Sequence, residues 1–158
     1  MIDQLIPYVI LFGAMGSGLV AGVFFAFSSF VMKALARLPD EQGIAAMQSI
    51  NVVVLNRSFL TVFLGTALVT ILLITHSIFN WESANAIPLI AGSLLYFVGS
   101  FLVTVVRNVP LNDGLARVDT KEGESLSLWK DYLSKWTIWN HIRTLASFAA
   151  MVLFILAL

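Results

Sequence analysis

The chain has 158 residues, of which 59% are hydrophobic and 11% are charged, and its formal net charge is zero. An ordinary soluble domain has about 25% charged residues, so this composition indicates a membrane protein. Without net charge or a dense basic cluster there is no reason to expect a nucleic-acid partner, and the absence of cysteine excludes disulfides, thiolate catalysis and cysteine-ligated metals.

Four apolar runs are long enough to cross a hydrocarbon core, which takes about 20 helical residues. They cover residues 5–32, 59–79, 87–106 and 138–158. Backbone polar groups in lipid must be satisfied within their own segment, so these runs are predicted to be helices. The predicted fold is all-α: residues 1–158 form a single antiparallel four-helix bundle in the membrane, with short amphipathic helices on its cytoplasmic side.

All nine basic residues lie in or beside two of the polar connections. The first group is Lys33, Arg37 and Arg57, and the second is Arg107, Arg117, Lys121, Lys130, Lys135 and Arg143. Short basic loops remain in the cytoplasm. Both termini are therefore predicted to lie on the outer, non-cytoplasmic side of the membrane.

The first span combines small residues with a cluster of phenylalanines. The small residues recur at a spacing of four: Ala14, Gly18, Gly22 and Ala26. They predict a face for close helix packing, because lipid gives helices no hydrophobic reason to associate. In the phenylalanine cluster, Phe24 and Phe27 either fill the core or face lipid, or they form the wall of a pocket for a flat aromatic ligand.

The segment after the first span is predicted to be an amphipathic helix over residues 40–55. Pro39 and two acidic residues open it, and Ile44, Met47, Val54 and Leu55 share one face. Asn51 falls on the same apolar face. An amide there is unusual unless it is paired or contacts a ligand.

The third span carries a polar stripe at helical spacing: Ser93, Tyr96, Ser100 and Thr104. Such side chains are predicted to face the interior of the bundle. They either hydrogen-bond to other helices or line a ligand cavity. Pro110 is predicted to end this span. Asn108 and Asn112 then either cap the neighbouring helices or bind a ligand.

The fourth span is predicted to continue a helix that begins near Glu122. An aromatic belt with an interfacial arginine explains its Trp and Arg residues, but it explains Asn140 and His141 poorly. At 100° per residue, Trp136 and Asn140 share a line with Trp129, Leu133, Ser147 and Met151. His141 and Arg143 point nearly opposite ways, and either can join Asn140 in the interior.

The motifs together resemble the anthrone oxygenase-like family of small four-span membrane proteins. The most specific parts are Asn-Val-Pro-Leu-Asn at 108–112 and Trp-Asn-His-Ile-Arg-Thr at 139–144, while residues 22–28 and 42–56 also carry the resemblance. Fungal members oxidise an anthrone to an anthraquinone with dioxygen. The resemblance therefore implies a bacterial oxygenase of a small aromatic, anthrone-like substrate.

This chemistry needs a base with a pKa near neutral, donors for an oxyanion and a dry aromatic pocket, but no cofactor. The expected catalytic residues are His141 as the base with Asn108, Asn140 and Arg143 as donors. The expected substrate-binding residues are Asn112, Trp136, Phe24, Phe27 and Tyr96. No metal is expected, since His76 and His141 should lie at opposite faces of the membrane.

A competing interpretation is a non-catalytic membrane protein, either a structural subunit of a larger complex or a small-molecule binder. The asparagines would then be helix caps and interhelical hydrogen bonds. The expected partners are a small aromatic substrate, dioxygen and the lipid bilayer, with a homo-oligomer as a further possibility.

Overall fold

The computed structural model describes residues 2–118 and 125–158, and these ranges contain helices and short connections but no strand. Helix α1 consists of Ile2–Ala26, a π-helical turn at Phe27–Val31 and Met32–Leu35; α2 is Asp40–Val53; α3 is Arg57–Phe79; α4 consists of Ala86–Leu94, π-helical turns at Leu95–Leu102 and Thr104–Asn108, and Val109–Ala116; α5 is Ser125–Leu156. The start predicted near Glu122 lies outside the described residues.

Four helices are long and apolar enough to cross a membrane: α1, α3, α4 and α5. Each follows the previous one in the opposite direction, and α1 packs against both α3 and α5 while α4 packs against α5 and α3. The prediction of an all-α four-helix membrane bundle is confirmed. The third span is longer than predicted, because the helix that contains it extends from Ala86 to Ala116.

The prediction that Pro110 ends the third span is wrong. A π-helical turn precedes it, and the Val109 N–H bonds to the Thr104 carbonyl five residues back. Pro110 then occupies the first turn of the following α-helical segment. At this position the backbone N–H that proline lacks would have no helical partner, so no hydrogen bond is lost. The change of helical period therefore lets α4 continue through the proline.

Helix α2 is amphipathic, as predicted, and it packs against the C-terminal segment of α4 and against α5. Ile44 and Met47 are fully buried in a cluster with Trp129 of α5. A Cβ on Gly43 would lie 2.9 Å from the Trp129 ring, so only glycine allows this approach. Leu55 lies beyond the end of α2 and is exposed, in contrast to its predicted place on the buried face.

The small-residue face of α1 is shorter than predicted. Ala14 is buried, and a Cβ on Gly18 would lie 2.8 Å from the sulfur of Met151 in α5. Gly22 is exposed, however, and a Cβ there would meet nothing within 4 Å. The face of α1 that packs closely therefore includes Ala14 and Gly18 but not Gly22.

Candidate active site

A cavity of about 420 Å³ lies between the helices, beside the π-helical turns at Phe27–Val31 and Thr104–Asn108. This volume is within the range of about 300–1,000 Å³ that is typical of small-molecule sites. Its aromatic walls come from four helices: Phe24 and Phe27 of α1, Phe59 and Phe63 of α3, Phe101 of α4, and Trp136 of α5. The volume and the aromatic lining suit a small apolar molecule.

Arg143 provides the positive charge of the cavity wall. Its side chain is only 3% exposed. One terminal nitrogen donates to the Thr104 hydroxyl at 3.1 Å and the other donates to the Asn140 side-chain oxygen at 2.7 Å. No carboxylate among the described residues lies within 4.0 Å of it. The guanidinium thus has neutral partners around it and no counter-ion.

Two aromatic rings cover the guanidinium of Arg143. Its central carbon lies 4.1 Å from the centre of the Phe24 ring and 5.1 Å from that of Trp136. Such cation–π contacts contribute about 2 kcal/mol when they are desolvated. The Nε atom of Arg143 is buried and has no hydrogen-bond partner. Because a buried charge without a counter-ion is costly, an anionic group in the cavity would find here a strong and pre-formed partner.

Asn140 fixes the position of Arg143. Its amide nitrogen donates to the Phe24 carbonyl and to the Ser28 hydroxyl, both at 2.7 Å. Its oxygen is therefore turned toward Arg143. Ser28 also pairs with Thr144 at 3.0 Å. These bonds join α1 to α5 beside the π-helical turn of α1, and π-helical turns are frequent at functional sites.

Asn112 is a second polar point in the cavity wall. Its side-chain oxygen accepts from the Tyr132 hydroxyl at 2.9 Å and from the Trp136 indole N–H at 2.8 Å. Asn51 of α2 donates to the Tyr132 hydroxyl at 3.4 Å. The interpretation of Asn112 as a helix cap is therefore wrong, and the amide on the apolar face of α2 is paired. This network orients Trp136 beside Arg143.

Asn108 and Tyr96 lie inside the bundle but do not line the cavity. Asn108 donates to the Trp136 carbonyl at 3.3 Å and makes no side-chain cap. Tyr96 is fully buried, and its hydroxyl donates to the Phe63 carbonyl at 3.0 Å. The predicted inward direction of the polar stripe is confirmed. Its tyrosine, however, stabilises the contact between α3 and α4 rather than facing a ligand.

His141 lies on the exposed face of α5, away from the cavity. Two residues along a helix turn the side-chain direction by about 200°, so the burial of Arg143 directs His141 outward. Its placement does not support the expectation that it is the base. The described cavity lining includes one carboxylate instead, that of Asp113, which directly follows Asn112 in the sequence.

Sequence reasoning also missed part of the aromatic wall. Phe59 and Phe63 stack with their ring centres 5.6 Å apart, and Phe101 lies 5.7 Å from Phe63. A spacing of four residues in α3 is a sign of a shared helical face, and it could have indicated the first two. For metals, no cluster of three His, Asp or Glu residues that could hold an ion occurs in residues 2–118 and 125–158.

The model of the anthrone oxygenase family matches residues 52–153. The chain belongs to this family. The match includes Asn112, Trp136, Asn140 and Arg143, whereas Phe24 and Phe27 of α1 lie outside it. No curated protein and no solved structure matches the chain.

Proposed function

We propose that this member of the anthrone oxygenase family is a membrane-embedded, cofactor-independent oxygenase of a small aromatic, anthrone-like substrate. The observation that carries the proposal is Arg143, a buried cation in the wall of an aromatic cavity that has no carboxylate partner among residues 2–118 and 125–158. Ionisable residues inside membrane helices are rare and typically functional. Here the cation suits the oxyanion that such a substrate forms when it loses a carbon-bound proton.

The reaction balances without a further reductant. The substrate's CH₂ carbon loses a proton and becomes part of a delocalised enolate. The enolate transfers an electron to dioxygen, and the two radicals combine into a peroxide at that carbon. The proton removed first returns to the peroxide and makes it a hydroperoxide. The carbon then loses its remaining hydrogen as a proton while the O–O bond breaks, so the outer oxygen departs as hydroxide, takes up this proton and leaves as water, and the carbon keeps the inner oxygen as a carbonyl. The substrate is oxidised and dioxygen is reduced.

The side chains divide this work. Arg143 donates to the enolate oxygen, and Asn140 and Thr104 hold the guanidinium in place. Phe24, Phe63 and Trp136 enclose the rings and exclude water, which strengthens each electrostatic contact. Asp113 in the cavity lining accepts the proton.

The direct test is turnover of anthrone by the purified protein in lipid nanodiscs, followed by oxygen uptake and anthraquinone formation. Arg143→Met should lower kcat/KM about 10²–10³-fold, the usual loss for an oxyanion donor, and Arg143→Lys should restore only part of it, since a lysine cannot reproduce the two-pronged geometry. Arg107→Met is the matched control, because Arg107 is exposed and stacks on Trp139 at 4.7 Å. Undiminished turnover by Arg143→Met would overturn the proposal.

One observation favours a second candidate, a non-catalytic binder of small aromatic acids. The cavity lining contains Arg143, which can bind an anion, but no histidine. Binding needs only the cation, whereas catalysis also needs a base, and the base available in the lining is the carboxylate of Asp113. A protein that binds anthrone-like acids tightly and never consumes oxygen would support this second function.

We further propose that both termini lie on the outer side of a bacterial plasma membrane and that the cavity belongs to the cytoplasmic half. The one-sided basic residues support this orientation.

A further inference from the structure

Two residues of the cavity lining lie on neighbouring membrane helices and are partly exposed. Leu64 of α3 is 50% exposed and Val105 of α4 is 48% exposed. Their exposure points to a gap between the two helices. We call the gap between Leu64 and Val105 the lateral opening.

The lateral opening lies at the depth of the hydrocarbon core. Leu64 follows Arg57, the first residue of α3, by seven residues, a rise of about 10 Å along the helix. Arg57 is exposed and belongs at the headgroups. The neighbouring surface is apolar on both sides of the opening, with Leu68 of α3 and Leu102 of α4 also exposed. Lipid chains, rather than water, therefore meet the lateral opening.

The aqueous side of the cavity disfavours a negatively charged ligand. The lining residues Val52 and Leu55 are exposed on this side, and the exposed Asp113 adds a carboxylate to the lining. A like charge at a site repels an approaching anion. A neutral acid dissolved in lipid does not meet this repulsion. Inside the cavity it can give its proton to Asp113 and pair as an anion with Arg143.

We propose that the site is loaded from the bilayer through the lateral opening, and that its ligands are lipid-soluble weak acids with a flat aromatic body and one acidic oxygen. The proposal rests on the proposed function for the aromatic character of the ligand. It adds the route and the charge state: the ligand enters as the neutral acid and is held as the anion. Binding by this route does not require turnover.

The experiment measures how fast 2-naphthol, a stable aromatic weak acid, quenches tryptophan fluorescence in proteoliposomes. Leu64→Trp narrows one side of the lateral opening, and Val105→Trp narrows the other. Leu68→Trp is the matched control, since Leu68 lies one turn further along the same helix and outside the cavity lining. We expect both rim variants to slow binding at least tenfold and the control to leave the rate unchanged.

Equal slowing by the two rim variants and by Leu68→Trp would overturn the proposal. Naphthalene lacks the acidic oxygen, so it should bind equally to the wild type and to Arg143→Met. The affinity of 2-naphthol should be at least tenfold lower for Arg143→Met than for the wild type. An equal affinity of 2-naphthol for both proteins would also overturn the proposal.

The outcomes distinguish this inference from the proposed oxygenase activity. Loading through the lateral opening without oxygen uptake would retain the inference and remove the oxygenase. Turnover of anthrone that is insensitive to both rim variants would retain the oxygenase and remove the lateral route.

Discussion

Arg143 is surrounded by neutral groups in the described structure, and this arrangement is unusual for a buried guanidinium. Arginine remains charged in proteins, so the hydroxyl of Thr104, the amide of Asn140 and the rings of Phe24 and Trp136 must stabilise a full charge. A carboxylate in their place would neutralise the site and compete with any anionic ligand. The neutral surroundings therefore keep the cation available.

A comparison of His141→Gln with Asp113→Asn tests which residue accepts the proton. Asp113→Asn keeps the side-chain size and removes the base, so kcat should fall about 10²–10⁴-fold. His141→Gln should leave kcat unchanged, because His141 lies on the exposed face of α5. The measurement is steady-state oxygen uptake with anthrone, with unfolding followed by circular dichroism to show that both variants fold. The reverse pattern would return His141 to the mechanism.

The sequence predicted that Asn140 faces the interior, but it left open whether His141 or Arg143 joins it. Asn140 was expected to face the interior because it shares a helical line with Trp136 and Ser147, and all three are buried. His141 and Arg143 lie on opposite flanks of that line, and either direction was compatible with an ideal helix. The rings of Phe24 and Trp136, which come from different helices, decide in favour of Arg143. Whether His141 or Arg143 faces inward therefore depends on contacts between helices, which the sequence of α5 alone does not determine.

At the scale of the elements, the length of an apolar run is a local property, so hydropathy predicted all four membrane helices. By contrast, the number of residues per helical turn cannot be predicted from hydropathy alone. The π-helical turns at Phe27–Val31 and Thr104–Asn108 lie beside the cavity, and the second lets α4 continue through Pro110. Sequence rules for proline assume an α-helical interior, and they therefore ended the third span too early.

Helix contacts can be tested with a pair of glycine variants. A Cβ on Gly99 in α4 would lie 2.6 Å from the Cβ of Ala146 in α5. Neither atom can rotate away, so Gly99→Ala should force the helices apart and cost about 1–3 kcal/mol. Gly22→Ala adds the same methyl group where nothing lies within 4 Å, and it should be neutral or slightly stabilising.

The measurement for this pair is the thermal unfolding midpoint of the purified variants in the same detergent. Gly99→Ala should unfold at a lower temperature than the wild type, and Gly22→Ala should not. Equal effects of the two variants would show that the contact between α4 and α5 is looser than the structure has it.

At the scale of the whole molecule, the positions of the basic residues predict the orientation in the membrane. Reporter fusions at Leu158 and after Arg117 should give opposite signals. The fusion at Leu158 should be active with a reporter that works outside the cytoplasm, and the fusion after Arg117 with a reporter that works inside it. Cytoplasmic activity of the Leu158 fusion would reverse the orientation and place the cavity in the outer half of the membrane.

The bonds from Asn140 to the Phe24 carbonyl and Ser28 also constrain how the bundle is made. Of the four spans, α1 is synthesised first and α5 last. Phe24 and Ser28 are therefore made well before their hydrogen-bond partner Asn140. Moving an arginine to the centre of a lone membrane helix costs about 2.5–3.5 kcal/mol. The residues of α1 that receive Asn140 and cover Arg143 offset part of this cost. We therefore expect stable insertion of the last span to depend on the presence of the first, because α1 provides the partners of Asn140 and Arg143.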